Sequence, residues 1–414
     1  MGKLTRNRLQ NIAICLLALS AVALFTQIQL TALGRSQLTA GPAETVQGVT
    51  GSLAEFASPL RVAVTNSFGR SGQGRSTTSD ASALVLLLGE ALGTAGPASI
   101  VPETAFRELL DGECIYFDFT VSLPLPVLSA LLGAEVSPSL ASLSARRLIL
   151  AASHSSVQLY FQDESVYSCT TSVLGSALLS VLDSYQSSSA SFAFELGEEY
   201  TSLDPYTLFT DESSGYHTLS ASNPLADTDT LLRQLQFNPH TNNRYVDSVD
   251  GTEVIIENDR TLRIYTDGTV TYQSGDGDRS FPVSAVGETP TAVEAAAAAR
   301  SLAESVLSPG EASLCLRGIQ QNSGGWLVSF GYQADGVPIL FSNETSAAEL
   351  LIQNGSIVSF TLRFRSYSAT DSPSVLLPVR QAAAIAQHRY SGAELTVTYV
   401  DTGSDSVSAQ WVAG

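Results

Sequence analysis

An apolar segment close to the N-terminus constrains this chain more than any other feature. Residues 12–25 are apolar except for Ser20, and a weaker apolar run continues to residue 33. The segment before it holds no acidic residue and three basic ones, Lys3, Arg6 and Arg8. About 20 apolar residues cross a bilayer as a helix, and a basic flank stays on the cytoplasmic side. The sequence therefore predicts a cytoplasmic stub at 1–10, a transmembrane helix at 11–33 and a remainder outside the cell membrane.

The alternative interpretation of this segment is a cleaved signal peptide. Residues 12–20 would form its apolar region, and Ala21-Val22-Ala23 has the small residues of a cleavage site. The apolar run continues past Ala23 without the polar break that usually follows such a site, so we expect an uncleaved single-pass anchor. Under either interpretation the rest of the chain is exported, and residues 34–59, which are mostly small and polar, are predicted to form a stalk.

Three small or polar residues recur at intervals of seven in the predicted helix: Ala13, Ser20 and Gln27. That interval places them on one helix face, and helices in lipid associate through small and polar residues. We therefore take this face as the candidate contact with a membrane partner. The alternative is that Gln27 lies at the headgroup boundary and Ser20 has no role.

The charge balance excludes two classes of partner. The chain has 21 basic and 40 acidic residues and a net charge of −19, and Lys3 is its only lysine. Nucleic-acid binding depends on clustered lysine and arginine, and so does docking on anionic lipid. We therefore expect no nucleic acid and no membrane contact apart from the one helix.

The exported part is predicted to be an α+β ectodomain of several domains, built from antiparallel sheets with packed helices. Residues 60–205 alternate predicted strands and helices, which favours an N-terminal α+β domain. Residues 206–285 contain a β-meander whose hairpin turn is Asp267-Gly268. Residues 286–414 show a helix followed by antiparallel strands twice, and the second unit is short.

Local signals give further predictions. Pro290 is placed at the first position of a helix, with Thr291 and Glu294 spaced as a capping box. Asn354-Gly355 predicts a second tight hairpin. We also expect a glycine- and serine-rich loop at 66–78 and a strand at 192–196.

The segment 198–222 is predicted to be weakly structured and contains Tyr200, Tyr206 and Tyr216. It is either a binding loop with exposed aromatic side chains or a connection between domains that packs on the next one.

Catalytic and metal-binding patterns are missing from the sequence. It contains no HExxH, no phosphate-binding loop and no nucleophile elbow, and its histidines lack a second histidine or cysteine at ligand spacing: His154, His217, His240 and His388. The turn Asp276-Gly277-Asp278 lacks the remaining acceptors of a calcium loop. The acid pairs Glu198-Glu199 and Asp211-Glu212 are too weak a signal for a glycosidase cleft. We therefore expect no catalytic residue, no metal and no cofactor.

Three exported cysteines leave two alternatives open. Cys114 and Cys169 fall in predicted strands of the first domain and either pair as a disulfide or remain buried thiols. Cys315 lies in the last domain.

Two stretches of the chain resemble a known family. Gly251-Thr252-Glu253, residues 258–264 and residues 267–272 resemble the turn-and-strand pattern of the YycH/YycI family. Residues 326–339 with Asn354-Gly355 are similar to the C-terminal domain that this family shares with PepSY-like modules. The layout of a basic stub, one membrane helix and an α+β ectodomain agrees with it.

The resemblance implies a function without catalysis. Members of the family are membrane-anchored regulators of a cell-envelope-sensing two-component histidine kinase. It implies contact with the membrane and extracytoplasmic region of such a kinase, together with a second YycI-like accessory protein. The alternative function is an exported PepSY-like binding or inhibitor module that acts on a cell-wall enzyme or peptide.

Overall fold

A computed structural model describes nine stretches of the chain: residues 61–73, 82–153, 155–185, 190–210, 215–225, 227–275, 277–322, 324–343 and 345–414. All of them belong to one compact unit, residues 50–414. The predicted transmembrane helix and stalk lie outside the described residues, as do the candidate contact residues Ala13, Ser20 and Gln27. Within the described stretches, no helix has both the length and the apolar character needed to cross a bilayer.

The described residues form a mixed α+β fold with mostly antiparallel sheets, as predicted. Its α-helices are α1 (Ser82–Thr94), α2 (Glu103–Glu108), α3 (Leu125–Leu131), α4 (Gly175–Leu182), α5 (Thr228–Gln234), α6 (Ala292–Val306) and α7 (Val379–Arg389). Short 3₁₀ segments also occur, including Ala193–Glu195 and Glu198–Tyr200.

The first sheet has seven antiparallel strands in the order β2-β1-β4-β5-β6-β7-β3. Its strands are β1 (Arg61–Asn66), β2 (Gly69–Gln73), β3 (Ser99–Val101), β4 (Cys114–Pro124), β5 (Ser144–Ser153), β6 (Ser156–Gln162) and β7 (Val166–Leu174). Strict alternation of buried and half-buried residues along β6 gives this sheet two distinct faces.

Two small sheets follow in the chain. β8 (Ala190–Phe192) pairs with β9 (Leu208–Thr210), and β10 (His217–Ser222) lies between β20 (Ser366–Pro373) and β22 (Ser406–Val407).

The second large sheet has eleven strands, in the order β11-β12-β13-β14-β19-β18-β16-β17-β21-β23 with β15 paired to β16. Its strands are β11 (Arg244–Val246), β12 (Glu253–Glu257), β13 (Arg260–Ile264), β14 (Thr269–Gln273), β15 (Ser313–Asn322), β16 (Gly325–Ala334), β17 (Val337–Phe341), β18 (Ala348–Gln353), β19 (Ser356–Arg363), β21 (Leu395–Asp401) and β23 (Ala409–Ala413). Only β17 and β21 run parallel. The predicted meander is β12 to β14, and β14 pairs with β19, so residues from both sides of the predicted boundary at 285 share one sheet.

One hydrophobic core joins the two large sheets. Its buried members include Ile115 and Phe117 from the first sheet and Phe330 and Leu350 from the second. A separate cluster covers the opposite face of the first sheet, where Tyr116 packs edge-on against Phe192. The predicted boundaries at 205 and 285 stay predictions.

The local turn signals mostly hold. The hairpin at Asn354-Gly355 has φ values of 52° and 71°, as a tight turn between twisted strands requires. The Thr291–Glu294 capping box is present, with the Thr291 side chain accepting from the backbone N–H of Glu294. The placement of Pro290 was wrong: Thr291 caps the helix, Ala292 is its first residue, and the Pro290 carbonyl accepts a bond from the indole of Trp326.

Two other local predictions were wrong. Part of the predicted loop at 66–78 is strand β2, which pairs with β1 along its whole length. The predicted strand at 192–196 instead becomes a 3₁₀ turn after Phe192, because the Glu195 carboxylate accepts a hydrogen bond from the backbone N–H of Phe192.

Cys114, Cys169 and Cys315 are buried free thiols. Cys114 packs in the cluster that contains Tyr116, whereas Cys169 packs in the main core on the other face of the same sheet. The disulfide alternative therefore fails on geometry, since the two side chains point away from each other.

Candidate functional site: an open sheet face and a buried ion network

The centre of the eleven-stranded sheet has one buried face and one exposed face. Residues facing the core form a row across five neighbouring strands, and each is at most 3% exposed: Leu262, Tyr272, Phe360, Leu350 and Val328. Their neighbours along each strand point the other way. None of the described helices packs against that side of the sheet, which we call the open face.

The open face consists of two rows of side chains, defined by strand register. The first row is Arg263, Thr271, Thr361, Glu349 and Ser329. The second row is Thr261, Gln273, Ser359, Leu351 and Leu327. All of these residues except Ser329 line a shallow cavity of about 220 Å³ that is open to solvent. The surface is thus a broad polar band with hydroxyl and amide groups at its centre.

Three charged residues lie on the open face: Arg263, Glu349 and Arg363. Arg263 and Glu349 are exposed, and neither forms a hydrogen bond or ion pair with another described residue. Arg363 lies two residues beyond Thr361 on β19 and donates to the Ser346 carbonyl at 2.7 Å. Partial burial lowers the pKa of Arg363, against the attraction of Asp267 and Glu349.

The apolar residues of this face lie at its two ends. Leu351 and Leu327 are half-buried at the β18–β16 end. At the other end the first row continues from Arg263 to Val254, which is buried, and then to Tyr245, which is 52% exposed. Ile256 lies beside them in the second row and is 39% exposed.

A second cluster of charged residues connects the two large sheets. It contains three arginines and three carboxylates: Arg61, Arg146, Arg147, Asp118, Asp204 and Glu394. We call it the ion network.

Contacts in the ion network run from β1, β4 and β5 to the start of β21. Arg61 pairs with Glu394 and donates to the Leu395 carbonyl at 2.7 Å. The Nε of Arg146 donates to Asp118 at 2.9 Å, and its Nη2 pairs with Glu394. Glu394 therefore accepts from two arginines of the first sheet at once.

Burial and the neighbouring charges move the pKa values of the two central carboxylates apart. Burial acts to raise the pKa of Glu394, but the three surrounding arginines outweigh it and lower that pKa. Complete burial and the charge of Glu394 raise the pKa of Asp118. Such a split is typical of acid–base pairs in enzymes. Here Asp118 is completely inaccessible to solvent, so the arrangement suits a clamp between sheets rather than a reaction with a substrate.

Those acidic and metal-site candidates from the sequence that the structure describes do not come together. Glu199 forms an exposed ion pair with Arg380, while Asp211 and Glu212 lie outside the described residues. Asp278 accepts from the Tyr272 hydroxyl at 2.7 Å, and Asp276 is again outside. No group of three or more histidine, cysteine, aspartate or glutamate residues suited to a metal occurs in the described stretches.

The structure also locates His388 and Tyr206, two further candidates from the sequence. His388 lies in the last turn of α7, as predicted, and His154 is outside the described residues. Tyr206 is 3% exposed and packs edge-on against Phe106, so it belongs to a packed connection and not to a binding loop. The sequence did not single out Glu349, and it gave Arg263 no role, although the alternation of polar and apolar residues along their strands was visible.

Comparison of the chain with protein-family models, with curated proteins and with solved structures found no match in any of the three.

Proposed function

We propose that this protein is a non-enzymatic regulator of a cell-envelope-sensing histidine kinase, anchored in the cell membrane by residues 11–33 with its N-terminus in the cytoplasm. The open face is the surface through which its ectodomain contacts a protein partner. The observation that carries this proposal is the unpaired Arg263 and Glu349 at either side of a shallow, hydroxyl-lined band.

The chemistry of the band supports contact with a polypeptide. Threonine and serine hydroxyls donate and accept hydrogen bonds, and they project little from the sheet, so an extended chain can approach closely. Unpaired charges at the rim fix the register of a partner and exclude partners with the wrong charges.

The family resemblance supports the choice of a kinase as the partner. The stretches that carry it, residues 251–272 and 326–339, supply strands β13, β14 and β16 of the open face. A second YycI-like accessory protein is part of the same proposal. The other candidate, an exported PepSY-like module that binds a cell-wall enzyme or peptide, would use the same surface.

The test exchanges the two unpaired charges in the full-length protein. The variant Arg263→Glu with Glu349→Arg should lose co-purification with the kinase from native membranes and should lose control of kinase-dependent transcription. The matched control is Arg389→Glu with Glu90→Arg, which makes the same charge changes at exposed positions outside the open face. Normal regulation by the open-face variant would exclude this surface, and failure of any histidine kinase to co-purify with wild type would exclude the kinase.

The membrane helix has a separate role in this proposal. Confinement to one membrane raises the local concentration of both proteins, but a signal needs different contacts with two kinase states. The helix face of Ala13, Ser20 and Gln27 supplies such a contact. Ser20→Leu with Gln27→Leu should therefore retain membrane insertion and weaken regulation, whereas unchanged kinase output would make the helix only a tether.

A further inference from the structure

Arg263 and Glu349 lie a fixed distance apart on the open face. Arg263 lies on β13 and Glu349 on β18, and their row crosses β14 and β19 between them. Neighbouring strands are about 4.8 Å apart, so three spacings place the two backbone positions about 14 Å apart. An extended chain advances about 3.3 Å per residue, and about four residues cover that distance.

The groups between the two charges suit the backbone of an extended chain. Thr271 and Thr361 lie in the same row as the charges, and Gln273 and Ser359 lie beside them in the second row. Their hydroxyl and amide groups can pair with the N–H and C=O groups of a peptide that crosses the strands. The serine and threonine side chains are short, so they leave room for the peptide backbone to come within hydrogen-bond distance of the sheet.

The face is asymmetric, so its two ends favour different side chains. Leu351 and Leu327 lie beside the Glu349 end of the row, whereas Thr261 and Gln273 lie beside the Arg263 end. When a basic residue pairs with Glu349, the side chain two positions further along the bound chain faces the sheet near the two leucines. An acidic residue at Arg263 would have polar surroundings.

The surface also continues beyond Arg263. Val254, the next residue of the first row, is buried, but Tyr245 beyond it is 52% exposed and offers contact to a chain that runs past the acidic residue. A cavity of about 220 Å³ is too shallow to enclose a free peptide. These features favour an internal segment of a larger protein.

We propose that the open face binds an extended internal segment of the partner protein in which an acidic residue and a lysine or arginine stand four positions apart, with an apolar residue two positions beyond the basic one, so that all three side chains face the sheet. This rests on the proposed function of the face as a partner surface. Arg263 pairs with the acidic residue, Glu349 with the basic residue, and Leu327 with Leu351 receives the apolar side chain.

The test uses two capped heptapeptides with a fluorescent label, acetyl-Asp-Ser-Thr-Ser-Lys-Ser-Leu-amide and acetyl-Lys-Ser-Thr-Ser-Lys-Ser-Leu-amide, which has no acidic residue for Arg263 in either chain direction. Binding to the full-length protein in detergent is measured by fluorescence anisotropy. Wild type should bind the first peptide about fivefold more tightly than the second, since one exposed ion pair is gained and one like-charge contact is avoided. The variant Arg263→Glu should reverse that preference, and the control variant Arg389→Glu should keep it.

Two results would overturn the inference. One is equal affinity for both peptides, or a preference that Arg263→Glu leaves unchanged. The other is binding only of the uncapped pentapeptide Ser-Thr-Ser-Thr-Leu, whose free termini carry the charges, because that would make the ligand a free peptide. Neither result bears on regulation of the kinase, which co-purification and transcription test separately. Failure of this inference can therefore be distinguished from failure of the proposed function.

Discussion

At the scale of single residues, Glu394 holds the two large sheets together most directly. Its carboxylate pairs with Arg61 and Arg146, and Arg61 is only 3% exposed. Glu394→Gln leaves buried guanidinium groups without their anion, so it should lower the free energy of unfolding by about 3 kcal/mol at neutral pH. Urea unfolding followed by circular dichroism measures this. Glu199→Gln breaks the exposed pair with Arg380 and should cost at most about 1 kcal/mol; an equal cost for the two variants would contradict the role of the network.

The same residue predicts a dependence on pH. The pKa of Glu394 is lowered in the folded state, so its contribution is present above the ordinary carboxyl pKa and is lost as the pH falls through the folded value. The stability difference between wild type and Glu394→Gln should therefore shrink in acid. The contribution of Asp118 to stability has the opposite pH dependence. Because the pKa of Asp118 is raised in the folded state, that contribution is fully present at low pH and is lost as the pH rises. Asp118→Asn should accordingly cost less than Glu394→Gln at pH 7.

At the scale of elements, the start of α6 depends on two side chains. Thr291 accepts from the N–H of Glu294, and the Glu294 carboxylate accepts from the N–H of Thr291 at 2.8 Å. Thr291→Ala should lower the free energy of unfolding by about 1 kcal/mol, because one helix N–H loses its acceptor. Thr266→Ala removes an exposed threonine in a turn and serves as the control in the same thermal or urea unfolding. An equal effect at both positions would show that the cap is not what stabilises this helix.

The elements that the sequence predicted well are those fixed by neighbouring residues. Asn354-Gly355 determines its hairpin because both positions need positive φ, and the Thr291–Glu294 spacing determines the beginning of α6. Strand β2 was not predicted from the sequence because Gly69 to Gln73 shows no alternation of apolar residues. It forms through pairing with β1, and the buried Arg70 pairs with Glu195 far along the chain.

The open face was not predictable from local signals, since it depends on strand order. β14 pairs with β19, and more than 80 residues separate them in the chain. Until that pairing is known, nothing places Thr271 beside Thr361, or Arg263 in one row with Glu349. The alternation of polar and apolar residues did indicate that each strand has a polar side, and this is the part of the site that can be predicted from the sequence.

At the scale of the whole molecule, the two large sheets share one hydrophobic core. Phe117 of the first sheet and Phe330 of the second belong to the same cluster of buried residues, and the ion network adds a polar connection. Sheets that share a core lose their packing together, which favours a single unfolding transition. The boundaries predicted at 205 and 285 would instead allow separate transitions.

Probes in the two sheets can follow that transition independently. The two tryptophans, Trp326 and Trp411, lie in the second sheet, and Cys114 and Cys169 are buried in the first. Burial raises the pKa of Cys114 to about 12 and that of Cys169 to about 11, so both thiols should resist alkylation at pH 8 in the folded protein. Pulsed alkylation in a urea series, read out by peptide mass spectrometry, reports the first sheet, and tryptophan fluorescence reports the second.

We expect the two probes to give the same urea midpoint, and Glu394→Gln to move both midpoints down together. The physical reason is that neither sheet can keep its inner face dry once the other has unfolded, and Arg61 loses its anion at the same step. Alkylation of Cys114 and Cys169 at a lower urea concentration than the fluorescence change would mean that the first sheet unfolds alone. In that case the shared core contributes little to the stability of either sheet, and a boundary near residue 205 separates two independently folding domains.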